Sequence, residues 1–352
     1  MPRSRPGRPP RIAWHCQLAL RWLIRRAPSR LDRGSHPTLH PVPDSRIPDD
    51  LPVVVAQRRR APGRSWLATL PRLLDGAMDR WDLELGQPFR NGSAAWVAPV
   101  VRRTDSTEAV LKITLPHREA MHEGEGLRVW NGKGAVGLLE EDVEHYILLI
   151  ERCRPGSQLR DDSAPAEERL VLGAELLRRL WESPVPGDSP FETVDDVCRE
   201  WSVLVRHRMD ELRPDIDPGL VEMGAELLET LPATAQRRVL VHGDFNPTNI
   251  LRAEREPWLA IDAKPMIGDP GYDLLPLATQ VDEPPDGIPR PDQIRRHFEV
   301  VCDVLAQPVD RALAWSTARM VESALWHVSL DEPDDARRSL HWAQAFAHLA
   351  GL

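Results

Sequence analysis

Residues 240–264 constrain this chain more than any other stretch of it. They read Leu240-Val-His-Gly-Asp244-Phe-Asn-Pro-Thr-Asn249-Ile-Leu251 and, after a short connection, Ala260-Ile-Asp262-Ala-Lys264. Apolar residues lead into and out of a polar centre, and Pro247 breaks regular structure inside it. The segment therefore reads as strand, loop, strand. Asn249 follows Asp244 by five residues, and Asp262 follows it by eighteen. Phosphoryl transfer from ATP needs such an ordered set. One carboxylate takes the proton of the attacking hydroxyl, while an amide and a second carboxylate hold Mg²⁺. Asp244 is the candidate base. Asn249 and Asp262 are the candidate metal ligands, because Mg²⁺ takes hard oxygen donors and completes its shell with water and phosphate. His242 lies in a largely apolar run and reads as a structural residue bonded to backbone, not as a second base.

The pattern upstream is mostly strands. Ser65–Trp81 carries apolar residues at helical spacing, with Ser65 as its cap. Ala95–Arg102 and Ala109–Leu115 form a hairpin that turns at Arg103–Ser106. Lys112 points away from its neighbours Leu111 and Ile113, since side chains alternate along a strand. His117–Trp130 reads as a helix that Gly124 and Gly126 soften, by roughly 1 kcal/mol each relative to Ala. Asn131-Gly-Lys-Gly134 ends that helix. Val136–Glu140 and His145–Glu151 are further strands, and Cys153-Arg-Pro-Gly156 is a natural boundary. Beyond it the chain is mainly helical: Ala164–Trp181, Thr193–Leu212, Gly219–Leu231, Pro291–Leu305, Val309–His327 and Asp334–Ala350. These elements imply an α+β architecture with a small β-rich N-lobe over 47–152 and a larger helical C-lobe over 153–352.

Charge and cysteine content narrow the function class. Residues 1–46 hold ten Arg against two Asp, a balance of +8; the whole chain is −9, so residues 47–352 carry −17. An acidic body does not suit nucleic acid. It keeps the chain soluble, and it would also attract a cationic solute. The basic stretch 1–46 is rich in Arg, Pro and Ser and reads as a disordered extension; a short basic amphipathic helix is the alternative. No apolar run approaches the roughly 18 residues of a membrane span. The four cysteines lie far apart without a Cys-x-x-Cys pair, which argues against zinc or a disulfide framework and fits a reducing cytoplasm. No Gly-x-x-x-x-Gly-Lys-Ser/Thr loop occurs.

Several segments resemble those of kinases. Lys112, in Ala109-Val-Leu-Lys-Ile113, resembles the third-strand lysine that pairs the α- and β-phosphates. Its partner is a Glu on the next helix. Glu123 and Glu125 both qualify, and Glu123 is preferred because it flanks the Leu127/Trp130 stripe. Arg90-Asn-Gly-Ser93-Ala-Ala-Trp96 stands where phosphates are covered, with one Gly and small residues around Ser93. Ile147-Leu-Leu-Ile-Glu151-Arg-Cys153 resembles the strand and hinge that carry adenine contacts, so Glu151 and Cys153 are cofactor-binding candidates through their backbone. Gly268-Asp269-Pro-Gly-Tyr-Asp273 follows the metal Asp, and its two carboxylates are expected to hold the loop by hydrogen bonds.

Taken in order with Val241-His-Gly-Asp-Phe-Asn-Pro-Thr-Asn-Ile-Leu251 and Ile261-Asp-Ala-Lys-Pro-Met-Ile-Gly-Asp-Pro270, these segments resemble the aminoglycoside/hydroxyurea antibiotic-resistance kinases from about Ile47 to the C-terminus. The resemblance implies a two-lobed protein-kinase-like fold, MgATP in the cleft, and O-phosphorylation of a small molecule, foremost an aminoglycoside such as streptomycin. Ser106 stands where such sequences tend to have Gly, Thr248 where Gly is common, and Ala263 where Pro often follows the metal Asp. Two alternatives stay open: a metabolic kinase acting on an amino-sugar, choline-like or homoserine-like alcohol, and a nucleotide-binding module without catalysis. The chain is read as a monomer or homodimer with a small-molecule hydroxyl substrate and no nucleic-acid or membrane partner. Acceptor contacts are expected from the C-terminal helices and from the loops at 187–195 and 282–291, without individual residues assigned.

Overall fold

The computed structural model describes residues 44–282 and 290–352. The expected tail therefore falls almost wholly outside the described residues, as does most of the 282–291 loop. Two helices open the chain, α1 (Pro52–Gln57) and α2 (Ala61–Trp81). Pro62 lies at the N-terminus of α2, where a missing N–H costs nothing. Arg60 occupies the cap position, so Ser65 lies inside the helix and is not its cap.

Strands β1 (Leu83–Leu85), β2 (Ala95–Arg102) and β3 (Thr107–Thr114) come next. They join β4 (Leu138–Asp142) and β5 (Ile147–Glu151) in one five-stranded sheet of order β1-β2-β3-β5-β4. Every pairing in it is antiparallel. Ser106 adopts φ 59 in the β2–β3 turn, the left-handed conformation that glycine takes most easily. The two faces of the sheet do different work. Trp96, Ala98, Val100, Leu111 and Ile113 pack outward against Leu51, Val54, Trp66, Leu70 and Leu74 of the opening helices. Val110, Leu148 and Ile150 join the larger core shared with the second lobe.

Between β3 and β4 the helix α3 begins only at Glu123 and runs to Trp130. Arg118–Ala120 forms a separate single turn, so the continuous helix expected over 117–130 is broken. Asn131, at φ 47, ends α3. Gly124 and Gly126 are sites of close approach more than weak points. A Cβ on Gly124 would lie 2.1 Å from the Glu141 carboxylate, and one on Gly126 would lie 2.9 Å from the Pro265 ring. Gly126→Ala is expected to destabilise the fold by about 1–3 kcal/mol through overpacking, read as a lower melting temperature.

The second lobe holds α4 (Ala166–Trp181), α5 (Val194–Leu212), α6 (Pro218–Ala233), α7 (Leu274–Gln280), α8 (Pro291–Leu305), α9 (Val309–Ser329) and α10 (Pro333–Ala350). Two small antiparallel pairs lie between α6 and α7: β6 (Val239–Val241) with β9 (Met266–Gly268), and β7 (Ile250–Arg252) with β8 (Trp258–Ala260). They carry the loops that face the sheet. The architecture is α+β and two-lobed, as the sequence implied. No described helix is long and apolar enough to cross a membrane.

Candidate active site

The strand β6 ends at Val241, and the chain turns sharply at Gly243, whose φ is 81. A Cβ there would lie 2.2 Å from the Lys264 carbonyl oxygen, so both conformation and space demand glycine. The turn is held from beneath by Asp273. Its carboxylate accepts hydrogen bonds from the backbone N–H of His242 (2.8 Å) and Gly243 (2.8 Å) and from the Trp181 indole (3.0 Å). Asp269 accepts from Gly271 N–H at 2.7 Å and pairs with Arg311.

His242 is buried between Trp130, on which it stacks, and Phe245. Its Nε2 lies 3.1 Å from the Ile261 carbonyl, and its Nδ1 accepts from the Asp244 N–H at 3.3 Å. Burial, helped by Lys264, pushes its pKa down to about 3, so the ring is neutral.

Asp244 emerges from this turn 4% exposed. Its carboxylate accepts from Asn246 Nδ2 (3.0 Å) and Asn249 Nδ2 (3.2 Å), and the Lys264 ammonium lies 3.5 Å away. Burial raises its pKa above the ordinary aspartate value, against the pull of Lys264. The Asn246 side chain also caps the single turn that follows, accepting from Thr248 N–H at 3.0 Å. That turn sets Asn249 beside Asp244. With its amide nitrogen given to Asp244, Asn249 has its side-chain oxygen left for a cation.

Asp262 follows β8 with φ 58. One carboxylate oxygen meets Lys112 Nζ at 2.6 Å and the other meets Lys264 Nζ at 3.1 Å. Enclosure opposes its charge, but these two ammonium groups outweigh it and hold the carboxyl far below the usual range. Lys112 also touches both Glu123 oxygens at 2.6 Å. Despite burial, its carboxylate neighbours hold it charged, with a raised pKa. Glu125 instead pairs with Arg128 at 2.9 Å.

The remaining candidates come from the five-stranded sheet and the loops at its ends. The Glu151 side chain accepts from Gly137 N–H (2.8 Å) and pairs with Arg255 (2.8 Å), and its backbone N–H donates to the Gly137 carbonyl (2.8 Å), so carboxylate and N–H are both committed. Burial pushes the half-buried Cys153 thiol up to about 12, so it is not a nucleophile. The Ser93 carbonyl accepts from Gln57 Nε2 at 2.6 Å. Ser93, Lys112, Glu123, Glu151, Cys153, Asp244, Asn249 and Asp262 all line one cavity of about 320 Å³ between the lobes.

Sequence reasoning left Lys264 without a role, although its rarity was a signal: the chain has only Lys112, Lys133 and Lys264. Lys264 and Glu119 border both this cavity and a smaller neighbour lined by Trp201, Tyr272, Arg319 and Glu322. The smaller cavity draws on α5 and α9, whose contributions have no spacing that a single sequence exposes. Glu322 is 2% exposed, and burial lifts its pKa to about 7 despite an Arg208 contact at 3.1 Å.

A sequence model of the aminoglycoside/hydroxyurea antibiotic resistance kinases matches residues 80–330. A streptomycin 6-kinase of Streptomyces glaucescens is 35% identical over 289 residues, covering 80% of this chain and 91% of that protein. A hydroxyurea phosphotransferase of Kitasatospora aureofaciens is 34% identical over 308 residues, covering 87% of each. In fold, the chain is similar to a choline kinase of Streptococcus pneumoniae, with TM-score 0.58 at 15% identity over 79% of this chain and 99% of that one. The chain belongs to the aminoglycoside/hydroxyurea antibiotic resistance kinase family.

Proposed function

We propose that this kinase moves the γ-phosphoryl group of ATP to a hydroxyl of an aminoglycoside of the streptomycin kind. One observation carries the reading. Lys112 and Asp262 lie 150 positions apart yet meet at 2.6 Å, in one cavity that Asp244 and Asn249 also line. Relatives that act on streptomycin and hydroxyurea support the acceptor class.

Asn249 and Asp262 fit Mg²⁺, because both present hard oxygens to the cavity and Asp262 is held ionised. Bound there, the ion would neutralise charge on the phosphates. Lys112, oriented by Glu123, grips the α- and β-phosphates. Backbone groups of 151–153 take the adenine, and the small residues around Ser93 cover the phosphates. A guanidinium or ammonium group of the acceptor reaches the smaller cavity, which is lined by Trp201 and by the carboxylates of Glu119 and Glu322. Asp244 takes the hydroxyl proton while the acceptor oxygen bonds to the γ-phosphorus and the bond to the ADP oxygen breaks.

Lys264, beside Asp244 and Asp262 on the border of both cavities, steadies the charge of the group in transit. Lys264→Met is expected to lower kcat on the order of 10²-fold with a smaller change in KM for ATP, as for other lost electrostatic contacts to a transition state. Steady-state kinetics checks this.

Mass spectrometry of an acceptor panel with MgATP tests the whole reading. Streptomycin is expected to gain the mass of one phosphate, while choline, homoserine and simple amino-sugar alcohols do not. Phosphorylation of one of those alcohols alone would replace the proposed acceptor. ATP binding without transfer to any acceptor would reduce the protein to a nucleotide-binding module.

A further inference from the structure

The loop expected to cover the phosphates, Arg90 to Ala94, contains a single glycine, Gly92. Asn91, Gly92, Ser93 and Ala94 line the large cavity. Nothing within 4 Å would meet a Cβ on Gly92, so close packing there does not hold the loop. The segment before the sheet contacts it instead. Gln57, 5% exposed at the end of α1, donates its amide to the Ser93 carbonyl at 2.6 Å. Asp50 pairs with Arg90, the first residue of the loop. Just after it, the Trp96 indole donates to the Arg46 carbonyl at 3.0 Å. The three contacts thus fall at the start of the loop, within it and just after it.

Packing fixes the amide that makes the central contact. Gly63 of α2 lies against Gln57 so closely that a Cβ would stand 2.6 Å from Gln57 Oε1 and 2.3 Å from its carbonyl oxygen. Leu51, Val53 and Val54 anchor the same segment in the core on the outer face of the sheet, with Trp96 and Ala98. Among the described residues, none from the opening helices lines the large cavity, and Gln57 reaches its lining at Ser93. The family match begins at residue 80, after Gln57 and Gly63.

We infer that the contacts from Arg46, Asp50 and Gln57 extend the nucleotide site to the segment before the sheet, with Gln57 as the positioning residue that sets the phosphate-covering loop. This rests on the large cavity being the ATP site. A buried hydrogen bond of this kind is worth about a factor of ten in an equilibrium. The exposed Asp50–Arg90 pair contributes less.

The test uses the full-length protein and measures ATP binding without acceptor, KM and kcat, and hydrogen exchange at residues 90–94. Gln57→Met keeps the side-chain length and removes the donor. It is expected to weaken ATP binding and raise KM for ATP about ten-fold, with kcat and the acceptor KM nearly unchanged and exchange in the loop faster. Val54→Ala truncates the same segment's core contact without touching the loop; it is expected to lower the melting temperature and leave KM for ATP alone. If Gln57→Met does not fold, Arg90→Gln, at an exposed pair, is expected to give a smaller rise in the same direction.

Unchanged ATP binding and loop exchange in Gln57→Met, or in Arg90→Gln when it stands in, overturn the inference while wild-type binding upholds the ATP site. An equal rise in KM for Val54→Ala also overturns it, because loss of stability then suffices. A wild type that does not bind ATP removes both readings.

Discussion

Replacing Asp244 with Asn is expected to leave ATP bound and to stop its γ-phosphoryl group from reaching an acceptor. The carboxylate is 4% exposed and held by Asn246, Asn249 and Lys264. Asn keeps the shape but cannot take a proton from the hydroxyl. Loss of a positioned base costs on the order of 10²–10⁴-fold in kcat. Binding of nucleotide depends on Lys112, Asn249 and the backbone near Glu151 in this account, so calorimetric titration with ATP should be little altered. The acidity of the base also makes a prediction. Burial raises the Asp244 pKa, and the protonated form cannot accept a proton. The kcat/KM profile should therefore fall with decreasing pH at a point above the ordinary aspartate range. His242 does not contribute to that limb, because burial keeps it neutral down to about pH 3.

Asp273→Ala is expected to have the largest effect on stability. It removes the acceptor for the His242 N–H, the Gly243 N–H and the Trp181 indole, all buried. Each stranded donor costs about 1–3 kcal/mol. The sum is a large part of the roughly 5–15 kcal/mol that holds a typical domain folded. Thermal or urea unfolding should show the loss, and activity should fall with it because the turn before Asp244 loosens. Burial lifts the Asp273 pKa from 3.8 to about 6. Its folded value thus lies above the unfolded one, and ionising it works against the fold. The stability gap between wild type and Asp273→Ala should therefore widen as the pH falls from about 6 toward 3.8.

Much of this was legible in residues 240–264, because strand–loop–strand segments carry their polar residues at short spacing. The β2–β3 hairpin and the long C-terminal helices were legible for the same reason: each rests on local periodicity. Where tertiary contacts decide, the sequence misled. The start of α3 at Glu123 and the roles of Gly124 and Gly126 depend on Glu141 and Pro265, elements the helix has not yet met in sequence. Ser65 looked like a cap because its side chain has cap chemistry, while Pro62, three residues earlier and suited to a first helical turn, already starts α2. The short elements α1, β1, α7 and β9 are too brief for a period to register. Lys264 took its meaning only when Asp244 and Asp262 were seen on either side of it. The smaller cavity gathers one or a few residues each from α5, α9 and several connecting segments, a grouping that only folding produces.

The central claim is that a lysine from the sheet and three polar side chains from the second lobe act together on one phosphoryl group. ATP whose γ-phosphoryl oxygens carry heavy isotope, incubated with enzyme and streptomycin, tests it most directly. Wild type is expected to form streptomycin phosphate carrying the heavy label, and Asp244→Asn to form it on the order of 10²–10⁴-fold more slowly. Label found only in inorganic phosphate, or Asp244→Asn transferring label at close to the wild-type rate, would overturn the claim.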